Sequence, residues 1–274
     1  MMQFRTEKVT DRITRIIAPY QEMMYVIEGS EKAVLIDTGS GFGDLKAVVE
    51  EISHKPLTVL ITHGHVDHAM GSGQFENLYM SKVDEYIYLQ HGEEAFRKEG
   101  ILHSPLAESF EEADYIPTIS FSKYSDLEEG NVFSLGGISV EIFACPGHTK
   151  GSMVMLIPEE RILITGDACN NATFMFEDYS TSIVEYKRNL EILLGKVKGK
   201  YDRVLTSHHG GEVGVNVIES VIEVCQDIID GNTDDIPLPF KGAKGLIAKA
   251  IDPATMKRVD GKTGNIAYSK EKIY

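Results

Sequence analysis

The sequence predicts an α/β protein in which helices cover sheets. Three observations predict it. Short apolar, β-branched runs recur along the chain, several stretches carry helical spacing, and four of the strand-like runs stop at a residue type that binds metals. In order, Ile13 to Ile17, Met24 to Ile27 and Ala33 to Ile36 read as strands, with a turn at Gly29-Ser30 between the last two. Asp44 to Ile52 has the apolar spacing of a helix. Leu57 to Thr62 is a buried-type strand. Val83 to Lys98 reads as one helix, and Gly100 to Gly130 as an irregular, acidic segment punctuated by Pro105 and Pro117. Strands return at Ile138 to Ala144, Met153 to Ile157 and Arg161 to Thr165. Ile183 to Val197 and Val217 to Ile229 read as helices on either side of a strand at Arg203 to Thr206. The short run Ile266 to Tyr268 closes the pattern.

The chain has 274 residues, enough for one large domain with a full core. It contains no repeat and no linker-like tract, so a single domain over 1–274 is expected, with a possible lid at 100–130 and a C-terminal extension at 231–274. No apolar run is long enough to span a bilayer. The opening residues carry no apolar signal core. Three widely spaced cysteines make no disulfide framework, so the expected compartment is the reducing cytoplasm. The net charge of −15 repels nucleic acid and anionic membrane, and no basic patch offsets it. The expected partner is a small-molecule substrate; nothing in the sequence fixes an oligomeric state.

The motifs lie where strands end. LTVLIT runs into His63-Gly64-His65-Val66-Asp67-His68. ISVEIFA runs into Cys145-Pro146-Gly147-His148, RILIT into Gly166-Asp167, and RVLT into Ser207-His208-His209. Imidazole and carboxylate are the donors taken by zinc and similar divalent ions. Four donors within six residues cannot all reach one tetrahedral ion from a regular element, but a loop can aim them at two neighbouring ions. Gly64 is expected to supply the unusual backbone angles of that loop. Only one late imidazole is needed, and strand RVLT favours His208 over His209. Cys145 and Cys169 read as small apolar fillers, Lys150 as an exposed turn residue, and His54, His91 and His103 as surface residues. Tyr20, Met23 and Met24 lie at a strand-to-strand turn, where lining a pocket and ordinary packing are equally open.

HxHxDH, then PGHT, then GD, then a late SHH, together with LIDTG at Leu35 to Gly39, resembles the metallo-β-lactamase-fold hydrolase superfamily over about residues 10 to 230. The resemblance implies a four-layer αββα sandwich and a dinuclear metal centre. One ion would be bound by His63, His65 and His148, and a second by Asp67, His68 and His208. Asp167 would bridge them, and Asp37 would support the metal loop. The ions would be zinc, with iron or manganese as the other candidates. Asp67 would also orient the nucleophile or pass a proton, as its catalytic role. The implied reaction is hydrolysis of an ester, thioester or phosphodiester; the alternative within the superfamily is a persulfide dioxygenase-like oxidoreductase using one iron. Asp167 matches the thioesterase, lactonase and phosphodiesterase branches. Asn170 stands where lactonases carry a Tyr, and His65 is not the Glu of flavodiiron oxygen reductases. The segment 100–130, with Leu102, Leu106, Phe110, Tyr115, Ile116 and Phe121, is the expected determinant of substrate choice.

Overall fold

A computed structural model describes residues 3–104, 107–208, 210–240, 243–252 and 257–274. The chain forms two compact units, Met1–Glu141 and Ile142–Tyr274.

The first unit is built on a seven-stranded sheet of order β1-β2-β3-β4-β5-β6-β7. Its strands are β1 (Arg5–Lys8), β2 (Ile13–Ile17), β3 (Met23–Glu28), β4 (Ala33–Ile36), β5 (Leu57–Leu60), β6 (Leu78–Met80) and β7 (Tyr124–Asp126). β1 to β4 pair antiparallel, as short hairpin connections allow, whereas β4 to β7 pair parallel across longer crossovers. The crossover after β4 contains α1 (Leu45–Ile52), which Asp44 caps by accepting from the Ala47 N–H at 3.0 Å. Leu45 and Val49 turn inward from α1 into a core with Ile16, Met24, Val26, Leu35, Val59 and Leu78. After β5 come α2 (Val66–Ala69), α3 (Glu85–His91) and α4 (Glu94–Leu102). The single helix expected over Val83 to Lys98 is therefore two, separated at Gly92-Glu93. The break falls at Glu93, whose extended backbone (φ −62°, ψ 128°) interrupts the helix, and glycine is required at 92 because an added Cβ would lie 2.7 Å from both the Tyr88 carbonyl and the Thr118 methyl.

The segment 100–130 is mostly irregular, as expected, but it holds the end of α4, three short 3₁₀ turns and β7. It is anchored by Arg97. This guanidinium is buried, donates to the carbonyls of Ser40, Gly41 and Ile116 and to Thr118 Oγ1, and lies 4.3 Å from the Tyr115 ring centroid. Leu106 and Pro105 lie outside the described residues.

β8 (Val132–Ser134) pairs with the start of β9 (Ser139–Ala144), and β9 continues into the second unit. There the order β14-β13-β11-β10-β9 is formed by β9, β10 (Met153–Ile157), β11 (Ile162–Gly166), β13 (Arg203–Thr206) and β14 (Glu212–Val213). β10 and β11 are buried along their whole length, which explains their continuous apolar sequence. α5 (Ile183–Val197) and α6 (Val217–Ile229) bury stripes at helical spacing: Ile183, Tyr186, Leu190, Leu193 and Val197 on α5, and Val217, Val221, Val224 and Ile228 on α6. Ser182 caps α5 by accepting from the Glu185 N–H. The C-terminal residues form a further sheet, order β12-β17-β16-β15, from β12 (Thr173–Met175), β15 (Ile236–Phe240), β16 (Ala243–Ile247) and β17 (Ile266–Tyr268). β17 runs parallel to β12 and antiparallel to β16. Among the described residues no helix is long and apolar enough to cross a membrane.

Candidate metal centre

The first set of donors stands at the parallel pair β4–β5. Asp37 follows β4 directly with φ of 62°, a left-handed conformation that Asp tolerates better than most residues. The turn points its carboxylate at the neighbouring strand end. Oδ1 accepts from the Thr62 N–H at 2.7 Å, and the Thr62 hydroxyl donates to the same carboxylate, 2.8 Å from Oδ2. His68 Nδ1 lies 2.7 Å from Asp37 Oδ2. The Thr62 Oγ1 is also 3.0 Å from His63 Nδ1. Because its one proton goes to the carboxylate, it accepts from His63. These contacts put the proton of both imidazoles on Nδ1 and the lone pair on Nε2.

His63 Nε2 lies 3.0 Å from His65 Nδ1, and the His63 and His68 rings are 4.0 Å apart. Asp67, in the first turn of α2, puts Oδ2 3.6 Å from His68 Nε2. His63, His65 and His68 are buried, while the Asp67 side chain is 32% exposed. The reason for glycine at 64 is not the one expected. Its φ is not in the left-handed region; instead an added Cβ would meet the Asp84 carbonyl at 2.9 Å. Asp84 fixes that approach by accepting from the Gly64 N–H at 2.9 Å.

The second set belongs to the second unit. His148 follows β9 through Cys145-Pro146-Gly147. A Cβ at Gly147 would run into the Tyr186 ring, so only glycine lets this turn sit on α5. His148 Nδ1 lies 2.8 Å from the Phe174 carbonyl of β12. A carbonyl only accepts, so Nδ1 carries the proton here as well. Asp167 follows Gly166, whose φ of 52° ends β11 in a turn. Its Oδ2 is 3.2 Å from His208 Nε2 and 3.9 Å from His148 Nε2. Asn170 Nδ2 donates to Asp167 Oδ1 at 3.3 Å. His208 follows β13, and its carbonyl accepts from Thr206 Oγ1. His209 lies outside the described residues.

The structure thus gathers His63, His65, Asp67 and His68 in one set and His148, Asp167 and His208 in another. These His and Asp side chains could hold metal ions. Cys145, Cys169 and Cys225 are buried free thiols. Burial pushes Cys145 up to about 12 and Cys169 well above the ordinary thiol range, so neither is a thiolate at neutral pH. Lys150, His54 and His103 are exposed as expected, and Met23 and Met24 are packed in the core. His91 is not the surface residue expected: it is half-buried and its ring stacks on His65 at 5.0 Å. Asp84 and Glu22, like His91, are not singled out by any pattern in the sequence. Glu22 is buried, takes the Ser40 N–H and hydroxyl on Oε1, and is raised by desolvation above its ordinary value. None of these three belongs to a recognisable motif.

The chain belongs to the metallo-beta-lactamase superfamily, whose family model matches residues 17–211. It is 25% identical over 207 residues to the human acyl-coenzyme A thioesterase MBLAC2, covering 68% of this chain and 72% of the relative. It is 26% identical over 186 residues to the hydroxyacylglutathione hydrolase GloC of Haemophilus influenzae, covering 64% of this chain and 81% of the relative. A solved metallo-beta-lactamase from Pontibacter korlensis superposes with a TM-score of 0.57 at 18% identity, over 82% of this chain and 100% of that one. The expected α/β metallo-β-lactamase fold is therefore the fold of this chain.

Proposed function

We propose that the chain is a metal-dependent hydrolase whose centre is a pair of divalent ions, zinc first, held by His63, His65, Asp67, His68, His148, Asp167 and His208. The observation that carries the reading is that three imidazoles each set Nδ1 against an oxygen acceptor. Asp37, Thr62 and the Phe174 carbonyl hold the Nδ1 protons of His68, His63 and His148, leaving Nε2 of each as the donor. Metal-binding histidines are oriented in this way. The nitrogen and carboxylate donor set suits zinc, and no thiolate is offered to a softer ion.

Bound there, a pair of divalent ions would lower the pKa of a water toward about 7 and polarise the substrate oxygen. The chain's own groups do the rest. Asp67, the partly exposed carboxylate of the first set, is placed to orient the attacking water and hold its proton. Asn170 keeps one oxygen of Asp167 engaged and so limits rotation of that carboxylate.

The substrate is an ester, thioester or phosphodiester. Thioesters come first, because one similar protein is named a thioesterase and the other a hydroxyacylglutathione hydrolase. Three free, buried cysteines suit the reducing cytoplasm. The test is metal content by mass spectrometry, followed by a panel of acyl thioesters, aryl esters and phosphodiesters. Two zinc ions per chain and hydrolysis of one of these classes are expected. Full activity in rigorously metal-free protein overturns the proposal, and a single iron with oxygen consumption would point to the dioxygenase-like alternative.

A further inference from the structure

His63, His68 and His148 are each oriented through a hydrogen bond at Nδ1. His65 is held differently, because its own Nδ1 is the nitrogen that faces His63. Its ring face lies against His91, with centroids 5.0 Å apart and planes within 25°. His91 in turn stacks on Phe96, at 4.9 Å and 12°. Three rings from the metal loop, the end of α3 and the first turns of α4 therefore form one column. His91 Nδ1 accepts from the Val66 N–H at 3.3 Å, the first N–H of α2, which no helical carbonyl can reach. This contact places the proton of a neutral His91 on Nε2 and fixes the ring in its plane.

We infer that His91 is a positioning residue for the metal centre, holding His65 in its ligating orientation by ring stacking, with Phe96 as its backing. The inference rests on the reading of His65 as a metal ligand. Two physical arguments support it. Rotation of the His65 ring about χ2 would swing Nδ1 away from His63 Nε2, and the stacked face opposes that rotation. Stacking should also strengthen when metal binds. A metal-bound imidazole is electron-poor and behaves partly as a cation toward an electron-rich ring face. The column therefore contributes to the loaded state beyond its contribution to the fold, and this difference appears as metal affinity.

The test uses the full chain, stripped by a chelator and titrated with Zn²⁺ against a chromophoric competitor. A parallel titration with Co²⁺ reports ligand geometry through its visible absorption. His91→Ala is expected to bind the more tightly held ion about tenfold more weakly, the usual scale for groups that orient a ligand, with a changed Co²⁺ spectrum. His91→Phe keeps the stacked face and is expected to recover affinity to within about threefold of wild type, although it cannot accept from Val66. Phe96→Ala is expected to fall between. Thermal melting of the metal-free variants separates fold damage from lost affinity. Wild-type affinity in His91→Ala overturns the inference, and so does His91→Phe as weak as His91→Ala. If His91→Ala does not fold, unchanged affinity in Phe96→Ala overturns it instead. A wild-type chain that binds neither ion overturns the metal reading itself, which is distinct from wild-type binding that the variants leave untouched.

Discussion

Asp37 Oδ2 and His68 Nδ1 lie 2.7 Å apart, both side chains 1% exposed. The same carboxylate holds Thr62, and Thr62 holds His63. One residue at the end of β4 thus sets the tautomer of two imidazoles beyond the end of β5. Asp37→Asn keeps the size and tolerates the positive φ, but it replaces an acceptor oxygen by an NH₂ group. If the NH₂ faces His68, the proton of His68 moves to Nε2, where it blocks ligation. Metal affinity should fall about 10–100-fold with the secondary structure retained. A competition titration paired with circular dichroism checks this, and wild-type affinity would refute the role given to Asp37.

His208 is proposed as the late imidazole ligand, supported by its Nε2 lying 3.2 Å from Asp167 Oδ2. His208→Ala is expected to lose one metal equivalent, while His209→Ala keeps both. Metal counting on the two variants, side by side, decides the matter. The reverse pattern would mean that the ligand lies one residue later than the strand β13 implies.

The motifs for the proposed metal donors are legible because each falls at a strand end, where a short apolar run stops at His or Asp. Strand boundaries at Ile13–Ile17, Ala33–Ile36 and Met153–Ile157, and helix boundaries at Ile183–Val197, were equally plain, since their burial is continuous or periodic. Structure without such a pattern is not legible in the sequence. β1 is exposed at every position, β6, β7, β8 and β12 have three residues each, and β15 carries Pro237 and Pro239. His91 and Glu22 matter only through neighbours brought close by folding, so no spacing in the sequence marks them.

Phe110 and Tyr115 should influence substrate binding without touching the metal donors. Their rings pack on Phe42 at 5.6 Å and 6.0 Å, in the loop that follows β4. Phe110→Ala or Tyr115→Ala is expected to change KM and the preference among thioesters of different acyl length, with metal content unchanged. Steady-state kinetics on two or more substrates tests this. Wild-type constants in both variants would place the determinants of specificity elsewhere.

Glu22 makes stability depend on pH in an uncommon direction for a carboxylate. Desolvation raises it above 4.5, opposed by its hydrogen bonds from Ser40, and Oε2 has no hydrogen-bond partner among the described residues. The folded state therefore binds the proton more tightly than the unfolded chain does. The contribution is fully present below the unfolded value and is lost as pH rises through the folded value. Glu22→Gln, which cannot ionise and can still accept from Ser40, should narrow its stability deficit or gain on wild type as pH rises from about 4 to about 8. Urea melts across that range provide the measurement. A stability difference independent of pH would show that Glu22 titrates alike in both states.

The Phe174 carbonyl that orients His148 belongs to β12, three residues long, whose neighbour in its sheet is β17. The family model ends at residue 211, well before β17 begins at Ile266. A transplant of the matched region alone would carry every proposed donor and still leave the acceptor for one of them on an unsupported strand. The smallest portable form of this centre therefore includes the far C-terminal strand, and deletions made there should be read as lesions of the donor set as well as of the sheet.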